Sequence, residues 1–242
     1  MKKLTPIQQK LADMLIKTKT RAKVRRRKTL PDGSFEFYVL ERDTSPIDFR
    51  VDPGEFVFKH HEKIPSAPLS PMYINLRNLP EKLLIQIAKN LTEIKLKDKP
   101  DFCTGIPKAA TPIAEKYSKR SKLPLINIYD KVDGEAKRSI IAAKDAPKGK
   151  GKKLLIIDDL ITKGISKIEA FEIAKKLGYK IVGLIVLFDR QEGGVEELEK
   201  AGYKVYSAMQ LRPTLQYYLK SKKITKKQYD ETINYLSSSL TI

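Results

Sequence analysis

Cysteine occurs once in these 242 residues, histidine twice and tryptophan not at all. With Cys103 alone no intrachain disulfide can form, which agrees with a reducing compartment. Beside Phe102 it reads as packed core rather than as a nucleophile. The two histidines, His60 and His61, are adjacent, and with a single cysteine they exclude zinc sites built on His/Cys spacing. Long apolar runs are also missing. The longest, residues 154–157 and 181–188, are far too short to span a bilayer. The N-terminus, MKKLTPIQQKLADMLIK, has the lysines of a signal peptide. However, polar residues interrupt it and no small-residue cleavage site follows, so a cytoplasmic protein is expected.

Acidic residues are scarce relative to basic ones: 29 Asp and Glu against 48 Lys and Arg, a formal charge of +19. Such a field attracts phosphates on nucleotides, nucleic acid or a membrane surface without choosing among them, and a lysine-rich composition gives the same number. Hydrophobic residues at 41% and charged residues at 32% describe a globular chain. The length suits one large domain, or one domain with an N-terminal elaboration.

From residue 100 onward, short apolar runs alternate with segments of helical period. Strands are expected at 101–104, 123–129, 153–157, 181–188 and 203–207, and helices at 111–120, 166–177 and 195–200. The helix at 166–177 offers Ile168, Phe171, Ile173, Ala174 and Leu177 as its apolar face, and Gly178 ends it. Residues 131–153 read as a polar stretch. The run 181–188 is apolar throughout, as a strand covered on both faces requires. This alternation predicts an α/β fold with a doubly wound, mainly parallel sheet.

The first hundred residues differ. Residues 5–17 read as an amphipathic helix with a Thr cap and Pro6 at its first position. The basic run 17–28 precedes Pro31-Asp32-Gly33-Ser34 and the aromatic run 35–40, which together predict a hairpin. Helices are also expected at 80–91 and 225–236. The organisation is thus a basic elaboration over 1–55 and a main domain over 56–242.

The segment 154–166, LLIIDDLITKGIS, carries the chemistry. A strand delivers Asp158 and Asp159 at its carboxyl end, where open parallel sheets bind ligands. A loop with Thr162, Lys163, Gly164, Ile165 and Ser166 then enters a helix. Glycine lets the backbone approach a phosphate, and the helix N-terminus offers unpaired N–H groups. The acids suit sugar hydroxyls or a phosphate-bound Mg²⁺. A strand end with solvated acids and an ordinary turn is the simpler alternative.

This segment resembles the phosphoribosyl pyrophosphate signature of type I phosphoribosyltransferases, with Lys163 in place of a small residue and Ile165 in place of a threonine. Four more stretches are similar to orotate phosphoribosyltransferases. FVFK at 56–59 with SPMYINLR at 70–77 matches the region bordering the base, which implies Lys59 and Tyr73 as orotate contacts. DFCTGIPK at 101–108 looks like the pyrophosphate loop, with Lys108 as a contact. YDKVDGEAKRS at 129–139 resembles the mobile catalytic loop, with Lys131, Gly134 and Glu135 in register. There Asn127, Ile128 and Asp133 replace basic positions or a frequent histidine, and Lys137 and Arg138 stand as substitutes. DRQEGG at 189–194 is similar to the base-recognition turn, where Arg190 would grip the orotate carboxylate with its planar fork. An Arg190–Glu192 surface pair is the alternative there.

The resemblance implies the type I fold with a small N-terminal hood and transfer of a phosphoribosyl group to orotate. Asp158, Asp159 and Lys131 would be catalytic. Lys108, Asp158, Asp159 and residues 162–166 would bind the donor. Mg²⁺ would be held mainly by substrate, with Asp158 or Asp159 as its protein ligand, and a homodimer would share its active sites through Lys131. Two other readings remain open. One is a nucleic-acid-binding regulator that keeps this fold as a sensor and binds through residues 17–28. The other is a transferase for a different base.

Overall fold

Two helices begin at the same reciprocal cap. The Thr5 hydroxyl accepts the Gln8 N–H at 3.4 Å, and the Gln8 side-chain oxygen accepts the Thr5 N–H at 2.8 Å. Thr225 and Gln228 repeat this arrangement at the C-terminal helix. The computed structural model describes residues 3–49, 56–133 and 138–239, without the side chains of Lys59, His60, Asp133, Arg138, Ile165, Ser166, Ser238 and Ser239.

In chain order the elements are α1 (Pro6–Lys17), β1 (Thr20–Thr29), β2 (Phe35–Thr44), β3 (Ile47–Phe49), β4 (Met72–Ile74), α2 (Glu81–Thr92), β5 (Phe102–Gly105) and α3 (Ala110–Ser121). There follow β6 (Tyr129–Asp133), β7 (Arg138–Ala142), β8 (Lys153–Ile161), α4 (Ile165–Lys176), β9 (Lys180–Asp189), α5 (Gly194–Lys200), β10 (Val205–Gln210), α6 (Leu211–Lys220) and α7 (Lys226–Ser239). They fall into two units. Met1–Lys3, Ala12–Leu79 and Thr214–Ile242 form one, and Leu4–Leu11 with Pro80–Pro213 the other.

In the first unit, β1 and β2 make the expected hairpin, in register from Thr20↔Thr44 to Thr29↔Phe35. Its turn is closed by Gly33 at φ 81° and by Asp32, whose carboxylate accepts both the N–H and the hydroxyl of Ser34. The charges of β1 meet partners. Arg21 and Lys23 face Glu41 across the hairpin, at 4.0 and 3.6 Å. Arg25 pairs with Glu62, while Arg27 donates to the carbonyls of Pro65 and Ala67 and covers the Phe35 ring at 4.4 Å. His61 is fully buried; its Nδ1 accepts the Phe58 N–H at 2.9 Å, and its Nε2 lies 3.1 Å from Pro68 O. The basic strand therefore fastens residues 56–70 rather than standing apart from them. At the other end of this unit, Tyr217 and Lys223 both reach Asp13, at 2.8 and 3.1 Å.

The second unit holds a four-stranded parallel sheet in the order β10-β9-β8-β5. Alternation along the strands sorts its core. Leu154, Ile156, Leu184 and Val186 pack with Ala170, Phe171 and Ala174 of α4. Leu155, Ile157, Ile185 and Leu187 have the opposite parity and are just as fully buried. Helix α2 contacts β9, and α3 contacts β5 and β8. Both faces are covered, which explains the unbroken apolar run in β9; burial of each such side chain contributes about 1.5–3 kcal/mol. Gly178, at φ 87°, ends α4 as expected, and the Tyr179 N–H returns to Ala174 O at 3.0 Å.

Four expectations need correction. Strand β8 does not stop at 157 but runs to Ile161, paired with Asp189, so both acids lie inside the strand. Residues 123–129 form no continuous strand; Leu125 alone bridges Cys103 in parallel. The polar stretch after Tyr129 is an antiparallel ribbon, β6 with β7. On α4, Phe171, Ala174 and Leu177 are buried and Ile173 packs against the core as expected, but Ile168 is 42% exposed and Lys167 takes its place in the buried stripe.

Candidate functional site

The carboxyl ends of β8 and β9 lead into two turns that are tied together. The Arg190 N–H donates to Ile161 O at 3.1 Å, and the Gly194 N–H to Thr162 O at 2.8 Å. Gly164 caps α4 at φ 73°, in the left-handed region that favours glycine. A Cβ at Gly194 would lie 2.2 Å from Thr162 O, so only glycine allows this approach. The loop Thr162–Gly164 thus enters the N-terminus of α4, the end of a helix that suits an anion. Thr162 is half-buried and Lys163 exposed; the side chains of Ile165 and Ser166 lie outside the described residues.

The two acids differ. Asp158 is 3% exposed. Its Oδ1 accepts the Asp159 N–H at 2.8 Å, and its Oδ2 lies 2.5 Å from the Lys167 ammonium. Asp159 keeps more exposed surface; burial and the charge of Asp158 push its carboxyl well above the usual carboxylate range. Behind the pair, Tyr129 is buried with its hydroxyl donating to Ala170 O at 2.8 Å, and burial drives that phenol far upward.

Sequence reasoning missed Lys167. Its signal is spacing: Lys167, Ala170, Phe171 and Ala174 occupy i, i+3, i+4 and i+7 on the buried stripe of α4. A lysine in that stripe needs a carboxylate opposite it, because lysine is almost never fully buried unpaired.

After β9, Asp189 is buried and accepts the Gln191 N–H at 2.7 Å; burial pushes its carboxyl up. Gln191, at φ 58°, in turn accepts the Arg212 N–H at 2.8 Å. Arg190 and Glu192 do form an ion pair, at 2.7 Å, but with side chains only 13% and 10% exposed it is not a surface pair.

Lys108 lies exposed between β5 and α3. There a Cβ on Gly105 would meet Ala110 O and the Ala114 Cβ, both at 2.9 Å, so α3 starts hard against the strand end. Lys131 sits on β6 opposite Ile140. Ile128 is fully buried in the core cluster with Phe171, which explains why no charge stands at that position. Gly134, Glu135 and Lys137 lie outside the described residues. The parallel sheet thus gathers Asp158, Asp159, residues 162–166 and Arg190 at one end, with Lys108 after the neighbouring strand. Lys59 and Tyr73 belong to the first unit. Lys59 opens a 3-10 turn, and Tyr73 stacks with Phe56 at 5.4 Å and Phe58 at 6.2 Å; burial pushes its phenol up.

Among the described residues no group of three or more His, Cys, Asp or Glu side chains could hold a metal. With Asp158 paired to Lys167, a Mg²⁺ here would take most of its ligands from substrate oxygens, which suits that ion's habits. No helix among the described residues is long and apolar enough to cross a membrane.

The phosphoribosyl transferase domain family matches residues 76–209, more than half of the chain. The orotate phosphoribosyltransferase of Pyrococcus abyssi is 34% identical over 160 residues, covering 64% of this chain and 86% of the relative. That of Sulfurisphaera tokodaii is 31% identical over 178 residues, covering 72% and 89%. The crystal structure of orotate phosphoribosyltransferase from Aeropyrum pernix superposes with a TM-score of 0.56 at 25% identity, over 72% of this chain and 93% of that one. By sequence and by fold, the chain belongs to the orotate phosphoribosyltransferase family of type I phosphoribosyltransferases.

Proposed function

We propose that the chain transfers the phosphoribosyl group of phosphoribosyl pyrophosphate to orotate, giving orotidine 5′-monophosphate and pyrophosphate. The observation that carries this reading is the fastening of two turns: Arg190 N–H on Ile161 O and Gly194 N–H on Thr162 O hold an anion cradle beside a guanidinium fork. One suits a sugar phosphate and the other a planar carboxylate.

The reaction is substitution at the anomeric carbon. A bond from the base nitrogen forms as the bond to the pyrophosphate oxygen breaks, and the electron pair leaves with pyrophosphate. Little covalent chemistry falls to the protein, which positions two anions and neutralises the departing one. Residues 162–166 hold the 5′-phosphate, and Asp159 stands at the ribose diol with Asp158 behind it. Lys108 meets the pyrophosphate. Arg190 takes the orotate carboxylate. Mg²⁺, when bound, would supply charge neutralisation for the departing group, with Asp159 as the carboxylate that would hold it. Lys131 reaches the pyrophosphate from a partner subunit, so the working form is a homodimer with shared sites. A cytoplasmic location is supported by the single buried cysteine.

Acceptor choice tests this reading. Orotate and uracil differ at this site by one carboxylate, so the wild-type chain is expected to consume orotate and spare uracil. Equal use of both would contradict the role of Arg190 and favour a transferase for another base.

A further inference from the structure

We infer that Lys167 is a positioning residue: its ammonium fixes the Asp158 carboxylate as an internal anchor of the donor site, leaving Asp159 as the one carboxylate that reads the ribose diol.

The geometry separates the two acids by task. Asp158 has the strand parity of Leu154 and Ile156, so it shares the side of the sheet covered by α4. Its side chain is 4% exposed and that of Lys167 is 10% exposed. One carboxylate oxygen accepts the Asp159 N–H, and the other, buried and with no hydrogen bond among the described residues, lies in ion-pair contact with the Lys167 ammonium at 2.5 Å. Tyr129 does not compete for them, since its hydroxyl is turned to Ala170 O. A sugar hydroxyl would have to displace the ammonium to reach Asp158, and that would leave a buried cation unpaired.

The pair also braces the loop. Lys167 is the third residue of α4, with its N–H on Gly164 O at 2.9 Å, and Asp158, on β8, stands four residues before Thr162. Their contact therefore spans the phosphate loop from underneath and ties its two ends together. It also removes one negative charge from the floor of a site that must admit a polyanion. Two bare carboxylates there would repel the donor; the Lys167–Asp158–Asp159 set presents at most one.

This inference rests on the phosphoribosyl pyrophosphate site proposed above and is independent of the acceptor. Its test measures phosphoribosyl pyrophosphate binding by calorimetry without orotate, and kcat and KM for the donor alongside. Lys167→Met strands the Asp158 carboxylate and is expected to weaken donor binding about tenfold or more. The pair Asp158→Asn with Lys167→Met replaces both charges at similar volume and is expected to recover most of that loss. Lys167→Arg, which keeps the charge, is expected to retain binding. Asp159→Asn is expected to lose binding in either background. A double variant that binds no better than Lys167→Met, or a Lys167→Met protein with unchanged donor binding, would overturn the inference. Should Lys167→Met fail to fold, the double variant and Lys167→Arg still decide it. Absent orotate turnover by the wild-type protein bears on the acceptor, whereas donor binding by the double variant decides the brace.

Discussion

The backbone N–H of Gly194 donates to the carbonyl of Thr162 at 2.8 Å, so the turn after β9 is buttoned onto the phosphate loop after β8. A side chain at Gly194 would drive into that carbonyl. Gly194→Ala is expected to cost about 1–3 kcal/mol of stability. It should also weaken donor binding. A denaturant midpoint and calorimetry read the two effects, and an unchanged midpoint would mean the turns are not fastened as described.

Arg190 predicts a split between its two conservative changes. Loss of a charge-assisted bond to a carboxylate costs about 1.5–3 kcal/mol, roughly tenfold to a hundredfold in kcat/KM for orotate. Arg190→Ala should show that loss with little change in donor binding. Arg190→Lys keeps the charge without the planar fork, and is expected to recover only part of it. Full orotate turnover by Arg190→Ala would remove the base-recognition role.

Cys103 supplies a pH test. It is fully buried, and burial pushes its thiol up to about 12. The free thiol titrates near about 8.5. A folded value raised above the unfolded one contributes stability that is fully present below the unfolded value and lost as pH rises towards the folded one. Alkylation of the native protein should therefore be slow from pH 7 to 9 and still climb about tenfold per pH unit there, where an ordinary thiol begins to level off. Fast labelling at pH 8 with the fold intact would contradict this placement.

The hairpin arginines separate structure from nucleic-acid recognition. Arg27 supplies donors to Pro65 O and Ala67 O, so Arg27→Ala should cost about 1–3 kcal/mol by stranding those carbonyls. Arg21 makes exposed ion pairs to Glu41 and Asp43, and Arg21→Ala should change stability by less than about 0.5 kcal/mol. If β1 served as a nucleic-acid strand instead, both changes would weaken salt-sensitive RNA binding alike and leave the thermal midpoint unmoved.

Much of this architecture is legible in the sequence where local chemistry decides it. The Thr-x-x-Gln boxes at Thr5 and Thr225, the Asp32-Gly33 turn and Gly178 each act through a few neighbouring residues. The apolar run of β9 reports burial on both faces directly. The acids of β8 hid that strand's true end, because two carboxylates read as a stop signal until the partner strand carries the ladder on to Ile161. Residues 123–129 look like a strand but make a single bridge to the sheet, around Leu125, where Pro124 and Ile126 bond to Cys103, a tertiary matter. Compositional change suggested a boundary near residue 55, whereas the packing groups the hairpin with Thr214–Ile242, which lies far away in the chain. At the site, motif residues were readable as types, but the division of labour between Asp158 and Asp159 was not. It depends on Lys167, whose one-residue offset from Ile168 places a charge in the buried stripe.

The central claim is tested most directly by mixing the purified chain with orotate, phosphoribosyl pyrophosphate and Mg²⁺ and following orotate absorbance and released pyrophosphate together. Orotate is expected to disappear one-for-one with pyrophosphate release, with donor required. No loss of orotate, in a folded protein that still binds the donor, would contradict it.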